Sequence, residues 1–271
     1  MTMIDRAFVR RSFAAGARTY DRSAGLQNDM NRRLVATHAG AAGRTARLLD
    51  IGMGTGNLSL QLARLLRGAR VFGCDLAQPM LEIAVRKLTA EGIAARCAVA
   101  DAERLPYRSH CFELVASGFT FQWLEDWSAA LDEVRRVLTP GGLFLFSTFG
   151  AETLCELRDA YTAACAATGY DRGEALRLAV TPARVRQALV GCGFADISLE
   201  TLRHRAVYPG VNDLVRAIKG MGARNASPRR NRTAGVRAVW KEMILHYERR
   251  WGDAAGIPAT FEIIMGAART P

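Results

Sequence analysis

Three glycines at alternate positions, Gly52, Gly54 and Gly56, follow directly after a short apolar segment that ends at Asp50. An apolar strand followed by a glycine-rich turn and a helix usually receives a nucleotide, because glycine lets the ligand approach the backbone near the N-terminus of the helix. The dinucleotide fingerprint Gly-x-Gly-x-x-Gly requires its third glycine where this chain has Asn57. The spacing therefore predicts a nucleotide-like ligand that has no pyrophosphate.

Acidic residues end the next two apolar segments. Asp75 follows residues 69–74, and Asp101, with Ala102 after it, follows residues 94–99. A carboxylate at the first position can accept hydrogen bonds from both hydroxyls of a ribose, and it disfavours a 2′-phosphate. Asp101 and the backbone of Ala102 can bind the amino group of adenine. Either aspartate alone could be a helix cap, but together with the glycine loop they predict S-adenosylmethionine as the ligand.

The elements that must position these residues follow from the hydrophobic pattern. Apolar segments alternate with amphipathic ones up to residue 150, which predicts βαβ units and a parallel sheet with ligands at the carboxyl ends of its strands. We expect strands at residues 46–51, 69–74, 94–99, 112–117, 143–148, 197–207 and 261–266, and a tight turn at 139–142. The predicted fold class is α/β, a doubly wound, mostly parallel seven-stranded sheet.

Three parts are predicted along the chain. Residues 1–40 form an N-terminal helical lid, with a helix over 6–34 that is interrupted near 16–20. Residues 41–150 form the cofactor-binding core. Residues 151–271 complete the sheet and carry a helical insertion that binds the substrate or a partner.

The net charge of +11 is concentrated at the two ends of the chain. Residues 201–271 contain 13 Lys or Arg against 5 Asp or Glu, and residues 1–40 contain 7 against 3, whereas residues 41–200 contain 17 against 18. A compositional bias explains why 34 of the 37 basic residues are arginine. It does not explain their position, so the basic ends predict an acidic partner.

The remaining composition is that of an ordinary globular protein, 49% hydrophobic and 23% charged. No apolar run approaches the ~18–20 residues needed to cross a bilayer, and residues 1–11 lack the apolar stretch of a secretory signal. The 6 cysteines and 4 histidines show no metal-ligand spacing. We expect a cytoplasmic monomer with reduced cysteines, without a metal, and without a membrane or nucleic-acid partner.

Residues 46–150 resemble the class I S-adenosylmethionine-dependent methyltransferases. The matching stretches are LLDIGMGTGNLSLQLA, GCDLAQPMLEIA, ADAERLPYRSHCFELV and VRRVLTPGGLFLFSTFG, and Met53 stands where a smaller residue or cysteine is usual. The cofactor-binding residues that this resemblance implies are Asp50, Gly52, Gly54, Gly56, Asp75, Leu76, Met80, Asp101, Ala102 and Phe119.

Flanking stretches make nearly the whole chain similar to the malonyl-acyl carrier protein O-methyltransferases of early biotin synthesis. They are FVRRSFAAGARTYDRSAGLQ, SGFTFQWLEDWSAAL, STFGAETLCELR, LVRAIKGMGARNAS and IPATFEIIMGAA. The resemblance implies methyl transfer to the free carboxylate of a malonyl thioester. That acceptor is already ionised at neutral pH, so the reaction requires no general base.

By this resemblance, three residues are candidates for holding the acceptor: Tyr20, Gln122 and Trp123. Tyr20 belongs to the helical lid, and the other two follow the fourth strand. Packing against the sheet is the alternative role for each of them, above all for Trp123. An arginine in the C-terminal half of the chain could also pair with the malonyl carboxylate, but the sequence does not single one out among the many there.

The implied partner is malonyl-acyl carrier protein, or malonyl-coenzyme A in its place. Because acyl carrier proteins are strongly acidic, basic residues near the C-terminus are expected to steer docking. They are Arg224, Arg229, Arg230 and Arg232, with Arg237 beside them.

Three other functions remain open at this stage. A similar family that assists respiratory complex I assembly hydroxylates an arginine, but it tends to have histidine where this chain has Gln122. A methyltransferase for a free small acid would not need the basic excess. An RNA methyltransferase would agree with a pI near 10.0, but no added RNA-binding module is apparent.

Overall fold

The computed structural model describes residues 5–43, 45–124, 126–170, 180–222 and 235–271. Its strands are β1 (Arg47–Ile51), β2 (Arg70–Asp75), β3 (Ala95–Val99), β4 (Phe112–Gly118), β5 (Leu138–Phe149), β6 (Ala195–Tyr208) and β7 (Ile257–Arg269). Its helices are α1 (Arg6–Gly16), α2 (Tyr20–Ser23), α3 (Gly25–His38), α4 (Asn57–Leu65), α5 (Gln78–Ala90), α6 (Trp127–Val137), α7 (Cys155–Thr168), α8 (Pro182–Gly191), α9 (Val211–Gly220) and α10 (Gly235–Trp251). Short 3-10 helices cover Ala39–Ala42 and Phe121–Trp123.

The strands form one seven-stranded sheet in the order β3-β2-β1-β4-β5-β7-β6. Strands β1 to β5 pair in parallel, and β7 runs antiparallel to both β5 and β6. Strand order reverses at β1, between β2 and β4, which is where an open α/β sheet binds its ligand. The predicted fold class is confirmed.

Hydrophobic cores cover both faces of the sheet. Successive side chains of a strand point to opposite faces. In β1, Leu48 joins the core formed with α3 and α4, whereas Leu49 joins the one formed with α6 and α8. Both leucines are fully buried. Burial on two faces explains why the central strands are apolar throughout their length rather than alternating.

The N-terminal helices lie over the carboxyl ends of the strands. Helix α1 begins after Asp5, whose carboxylate accepts a hydrogen bond from the Phe8 N–H at 2.9 Å. It ends at Gly16, and α2 begins at Tyr20, so the predicted interruption is confirmed. We refer to α1 and α2 as the lid.

Strand β5 begins earlier than predicted. Leu138 pairs with Phe112 and Leu143 pairs with Leu114, so residues 139–142 bulge out between two paired positions. Gly141 has φ +69° there. The turn signal in Thr-Pro-Gly-Gly is therefore real, but it marks a bulge inside the strand rather than the point at which the strand begins.

Among the described residues no helix is long and apolar enough to span a membrane. Nor does this part of the chain bring together three or more side chains that could hold a metal ion.

Candidate active site

A cavity lies between the lid and the carboxyl ends of β1 to β4, and we call it the cofactor cavity. Most of the predicted site residues line it. They are Tyr20, Gly52, Gly54, Asp75, Leu76, Met80, Asp101, Ala102, Phe119 and Trp123. Three predicted site residues lie outside its lining, namely Asp50, Gly56 and Gln122.

The glycine loop runs from β1 to α4 with Gly52, Gly54 and Gly56 all in the left-handed region, at φ +67°, +55° and +80°. Only glycine adopts this conformation without a steric cost. A Cβ at Gly52 would lie 2.7 Å from the Cβ of Thr120 and nearer still to its Oγ1. A Cβ at Gly54 would meet no atom closer than the Gly52 oxygen, at 3.9 Å. Gly52 thus packs against protein, whereas Gly54 borders space that a ligand can fill.

Gly56 and Gln122 do not line the cavity, but they fix the positions of elements around it. Gly56 is the N-cap of α4, and a Cβ there would lie 3.0 Å from the Ala84 Cβ, so this glycine lets α4 approach α5. Gln122 lies in the 3-10 helix after β4, and its Oε1 accepts a hydrogen bond from the Phe149 N–H at 3.3 Å. In this structure its carbonyl oxygen fixes the β4–α6 connection to the end of β5.

Asp50 is buried beneath the glycine loop, with 1% of its surface exposed. Its Oδ2 accepts a hydrogen bond of 2.6 Å from the Ser59 hydroxyl, one turn into α4. Burial raises the pKa of Asp50 to about 7, and the hydrogen bonds from Ser59 only partly offset this effect. Asp50 therefore holds α4 against β1, and any role in cofactor binding acts through the loop.

We expect Asp50→Asn to change the pH dependence of stability. Because the pKa of Asp50 is higher in the folded state, the folded protein binds more protons than the unfolded chain between about pH 4 and pH 7. The contribution of Asp50 to wild-type stability should fall over that range, by ~4 kcal/mol at most. The variant lacks this loss, so its free energy of unfolding relative to wild type should rise with pH in chemical denaturation. Parallel curves for the two proteins would contradict the assignment, and Asp29→Asn, at an exposed carboxylate, is the control.

Asp75 connects the glycine loop to the start of α5. Its Oδ2 accepts a hydrogen bond from the Gly54 N–H at 2.9 Å, and its Oδ1 accepts one from the Ala77 N–H at 2.8 Å. Burial raises the pKa of Asp75, and these backbone donors counteract the shift. Each carboxylate oxygen keeps a free lone pair. The position predicted to bind ribose is therefore held rigidly and can still accept two hydroxyls.

Asp101 is already paired with the lid. Its Oδ2 accepts a hydrogen bond of 2.9 Å from Arg6, which also contacts Glu103, and its Oδ1 accepts one from the Glu103 N–H at 3.0 Å. The sequence did not reveal this ion pair, which joins α1 to the end of β3. An adenine amino group at Asp101 would share the carboxylate with Arg6 or displace it.

Aromatic side chains form the wall of the cavity away from Asp101. Phe13 contacts Trp123 edge-on, with ring centroids 5.5 Å apart, and Tyr20 at 6.1 Å. Burial raises the pKa of Tyr20 to about 12, and the carboxylates of Asp75 and Asp21 add to the shift. The hydroxyl of Tyr20 therefore stays protonated at neutral pH and can donate a hydrogen bond.

Asp21 fastens the lid to the glycine loop. Its carboxylate accepts hydrogen bonds from Thr55 Oγ1 at 2.6 Å, Asn57 Nδ2 at 3.0 Å and Lys87 Nζ at 2.8 Å. Burial alone would raise the pKa of Asp21, but hydrogen bonds from Lys87, Thr55 and Asn57 outweigh it and the pKa is lowered. Sequence reasoning missed this residue, although the Tyr-Asp pair that contains it was part of the resemblance.

The four arginines predicted to bind a partner, Arg224, Arg229, Arg230 and Arg232, lie outside the described residues. Arg237 is described, and it is exposed near the start of α10.

Comparisons with known proteins identify the family of the chain. The family described as methyltransferase domain matches residues 49–146. A malonyl-[acyl-carrier protein] O-methyltransferase of Geobacter sulfurreducens is 38% identical over 98% of this chain and 100% of its own length. Another, of Halorhodospira halophila, is 37% identical over 98% of this chain and 88% of its own length. The chain belongs to the malonyl-[acyl-carrier protein] O-methyltransferase family.

Solved structures agree with the fold of this family. The YcgJ protein of Bacillus subtilis superposes with a TM-score of 0.62 over 88% of this chain and 98% of its own, at 18% identity. A phosphoethanolamine N-methyltransferase of Haemonchus contortus, solved in complex with S-adenosyl-L-methionine, gives a TM-score of 0.57 over 95% of this chain and 57% of its own, at 19% identity.

As a family member the chain is a methyltransferase whose cofactor is S-adenosylmethionine, and the cofactor cavity suits that molecule. Gly54 leaves space beside the backbone, and Asp75 offers two acceptor lone pairs to a ribose. Ala77 and Met80 line the cavity with apolar atoms, as an adenosine ring system requires.

Proposed function

We propose that the chain transfers the methyl group of S-adenosylmethionine to the free carboxylate of a malonyl thioester on acyl carrier protein. The full-length similarity to enzymes of that name supports the acceptor. The chemistry of the cavity also supports it: the described residues that line it include no histidine, cysteine or lysine, and its two carboxylates, Asp75 and Asp101, are already engaged by backbone N–H groups and by Arg6. An alcohol or thiol acceptor would need a base there, whereas a carboxylate with a pKa of about 4 is already ionised.

The reaction needs no proton transfer. The bound cofactor supplies a methyl group on a positively charged sulfur. One oxygen of the acceptor carboxylate forms the bond to the methyl carbon while the carbon–sulfur bond breaks, and the sulfur keeps the bonding electrons. The products are the methyl ester and S-adenosylhomocysteine.

The residues of this chain position the acceptor and exclude water from the reacting groups. Phe13, Tyr20 and Trp123 form an apolar wall that excludes water from the reacting charges. Because opposite charges disappear as the methyl group moves, a site with little water favours the transition state. Tyr20 lines the cavity, and we infer that its protonated hydroxyl holds the acceptor by donating a hydrogen bond.

A carrier protein agrees with the charge of the chain. Residues 201–271 have an excess of basic residues, 13 against 5, and acyl carrier proteins are acidic. We infer that Arg224, Arg229, Arg230 and Arg232 increase the rate of association with the carrier. We place the reaction in the cytoplasm, in agreement with six cysteines that form no disulfide.

The test is a comparison of acceptors. The protein is incubated with S-adenosylmethionine and, in separate reactions, malonyl-acyl carrier protein, malonyl-coenzyme A and free malonate. We expect mass spectrometry to detect the gain of one methyl group on the acyl arm, fastest with the carrier protein. No gain on any acceptor would refute the function, and a gain on coenzyme A alone would refute the role of the carrier. A gain only on free malonate would favour the small-acid alternative.

A further inference from the structure

One face of α1 lines the cofactor cavity through Arg6, Val9, Arg10 and Phe13. Residues three or four apart lie on the same side of a helix. At the N-terminal end of this face Arg6 bonds to Asp101, and at the other end Phe13 contacts Trp123. Arg10 is therefore about one helical turn from the end of the cavity at Asp101, where adenine is predicted to bind. It is also about one turn from the aromatic wall at the other end.

The charged residues of the cavity lining differ in whether they are paired. The lining contains Arg6, Arg10, Asp75 and Asp101 as its ionisable residues of fixed charge. Arg6 is bound by Asp101 and Glu103, and Asp75 is bound by backbone N–H groups. Within the described part of the chain, Arg10 makes no hydrogen bond or ion pair. An anion that enters this cavity thus meets carboxylates already engaged and one guanidinium that is free.

We propose that Arg10 binds the carboxylate of the methyl acceptor. This inference rests on the proposed function, because it requires an acceptor that carries a carboxylate. A guanidinium offers paired N–H donors that match a carboxylate and would leave one oxygen lone pair free to react. It would also offset the repulsion between the acceptor and the carboxylates of Asp75 and Asp101.

Pairing with Arg10 would also distinguish substrate from product. The malonyl thioester carries a negative charge, whereas its methyl ester does not. The ion pair is lost when the ester forms, so the ester should bind more weakly than the acid and leave the site.

The cofactor has a carboxylate of its own, for which the structure offers a different position. Helix α4 begins directly after the glycine loop, and its N-cap Gly56 has no side chain, although Asp50 accepts a hydrogen bond from the backbone of Ser59. The other N–H groups of the first turn and the helix dipole favour an anion there. Arg10 lies on the lid instead, and its side chain is exposed.

The test compares Arg10→Gln and Arg10→Lys with the control Arg11→Gln, which removes the neighbouring positive charge. The Arg11 guanidinium lies 3.8 Å from the carboxylate of Asp5. Affinities for malonyl-acyl carrier protein and for its methyl ester are measured with S-adenosylhomocysteine present, beside kcat, KM and the affinity for S-adenosylmethionine. We expect Arg10→Gln to weaken binding of the acid by about tenfold to a hundredfold, as loss of a charged hydrogen bond does. Binding of the ester and of the cofactor should remain within about twofold, Arg10→Lys should recover part of the loss, and Arg11→Gln should behave as wild type.

If wild type and Arg10→Gln showed the same ratio of affinities for the acid and for the ester, the inference would be overturned. A loss confined to S-adenosylmethionine would overturn it too, and would assign Arg10 to the carboxylate of the cofactor. Since binding is measured without turnover, failure of wild type to methylate the acceptor would refute the proposed function separately.

Discussion

The Gly54→Ala variant is expected to stay folded and to lose tight binding of S-adenosylmethionine. The added Cβ would meet no protein atom closer than 3.9 Å, so the cost to the fold is that of a left-handed alanine, ~1–2 kcal/mol. The same methyl group would occupy space beside the backbone where the ligand must lie. Overpacking of that kind reduces the binding free energy by up to ~3 kcal/mol, which corresponds to an increase in Kd of about a hundredfold. Calorimetric titration with S-adenosylmethionine measures the loss.

Gly52→Ala is the matched variant, because its methyl group would collide with Thr120 rather than with a ligand. Thr120 is held by a hydrogen bond from its Oγ1 to the Ile51 oxygen, at 3.2 Å. We expect this variant to lose ~2–4 kcal/mol of stability, visible as a lower Tm. A similar Tm for the two variants, or unchanged affinity in Gly54→Ala, would contradict the assigned roles.

Asp75→Ala is expected to reduce the affinity for S-adenosylmethionine by about a hundredfold or more, since hydrogen bonds to a charged group contribute ~1.5–3 kcal/mol each. The variant also leaves the Gly54 and Ala77 N–H groups without their acceptor. Asp75→Asn keeps one acceptor oxygen, so its loss should be smaller. Titration of both variants, with circular dichroism to confirm folding, measures the effect.

Asp101→Ala is the comparison for Asp75, because Arg6 already occupies one of the Asp101 oxygens. The loss of affinity for S-adenosylmethionine in Asp101→Ala should be clearly less than that in Asp75→Ala. If Asp75→Ala bound the cofactor as wild type does, the ribose assignment would be wrong.

Much of the site could be predicted because the sheet itself brings it together. Parallel strands place their carboxyl ends at one edge, so Asp75 and Asp101 reach the same cavity without any long-range information. Glycine spacing likewise indicated a loop that a ligand can approach closely, and Gly54 borders the open space of the cavity.

The sequence could not reveal which way each side chain of the loop region faces. Asp50 ends a strand as Asp75 does, yet it turns under α4 to Ser59 rather than into the cavity. That choice depends on how the following helix packs. Gly56 also looked like a ligand-binding residue, but its contact is Ala84 of α5.

Contacts between the lid and the core were beyond sequence reasoning, because they join residues far apart in the chain. Arg6 meets Asp101, and Asp21 meets Lys87. No local pattern encodes such pairs, and they appear only once α1 and α2 are placed over the sheet. The same placement singled out Arg10 among the basic residues that the structure describes.

The most direct test of the function is the chemical position of the transferred methyl group. The protein is supplied with S-adenosylmethionine labelled with carbon-13 in that methyl group and with malonyl-acyl carrier protein, and the acyl product is studied by NMR. We predict a single labelled carbon bound to oxygen as a methyl ester, which mild hydrolysis releases as methanol to regenerate the acid. A label bound to carbon or nitrogen, or no label on the acyl group, would contradict carboxylate methylation.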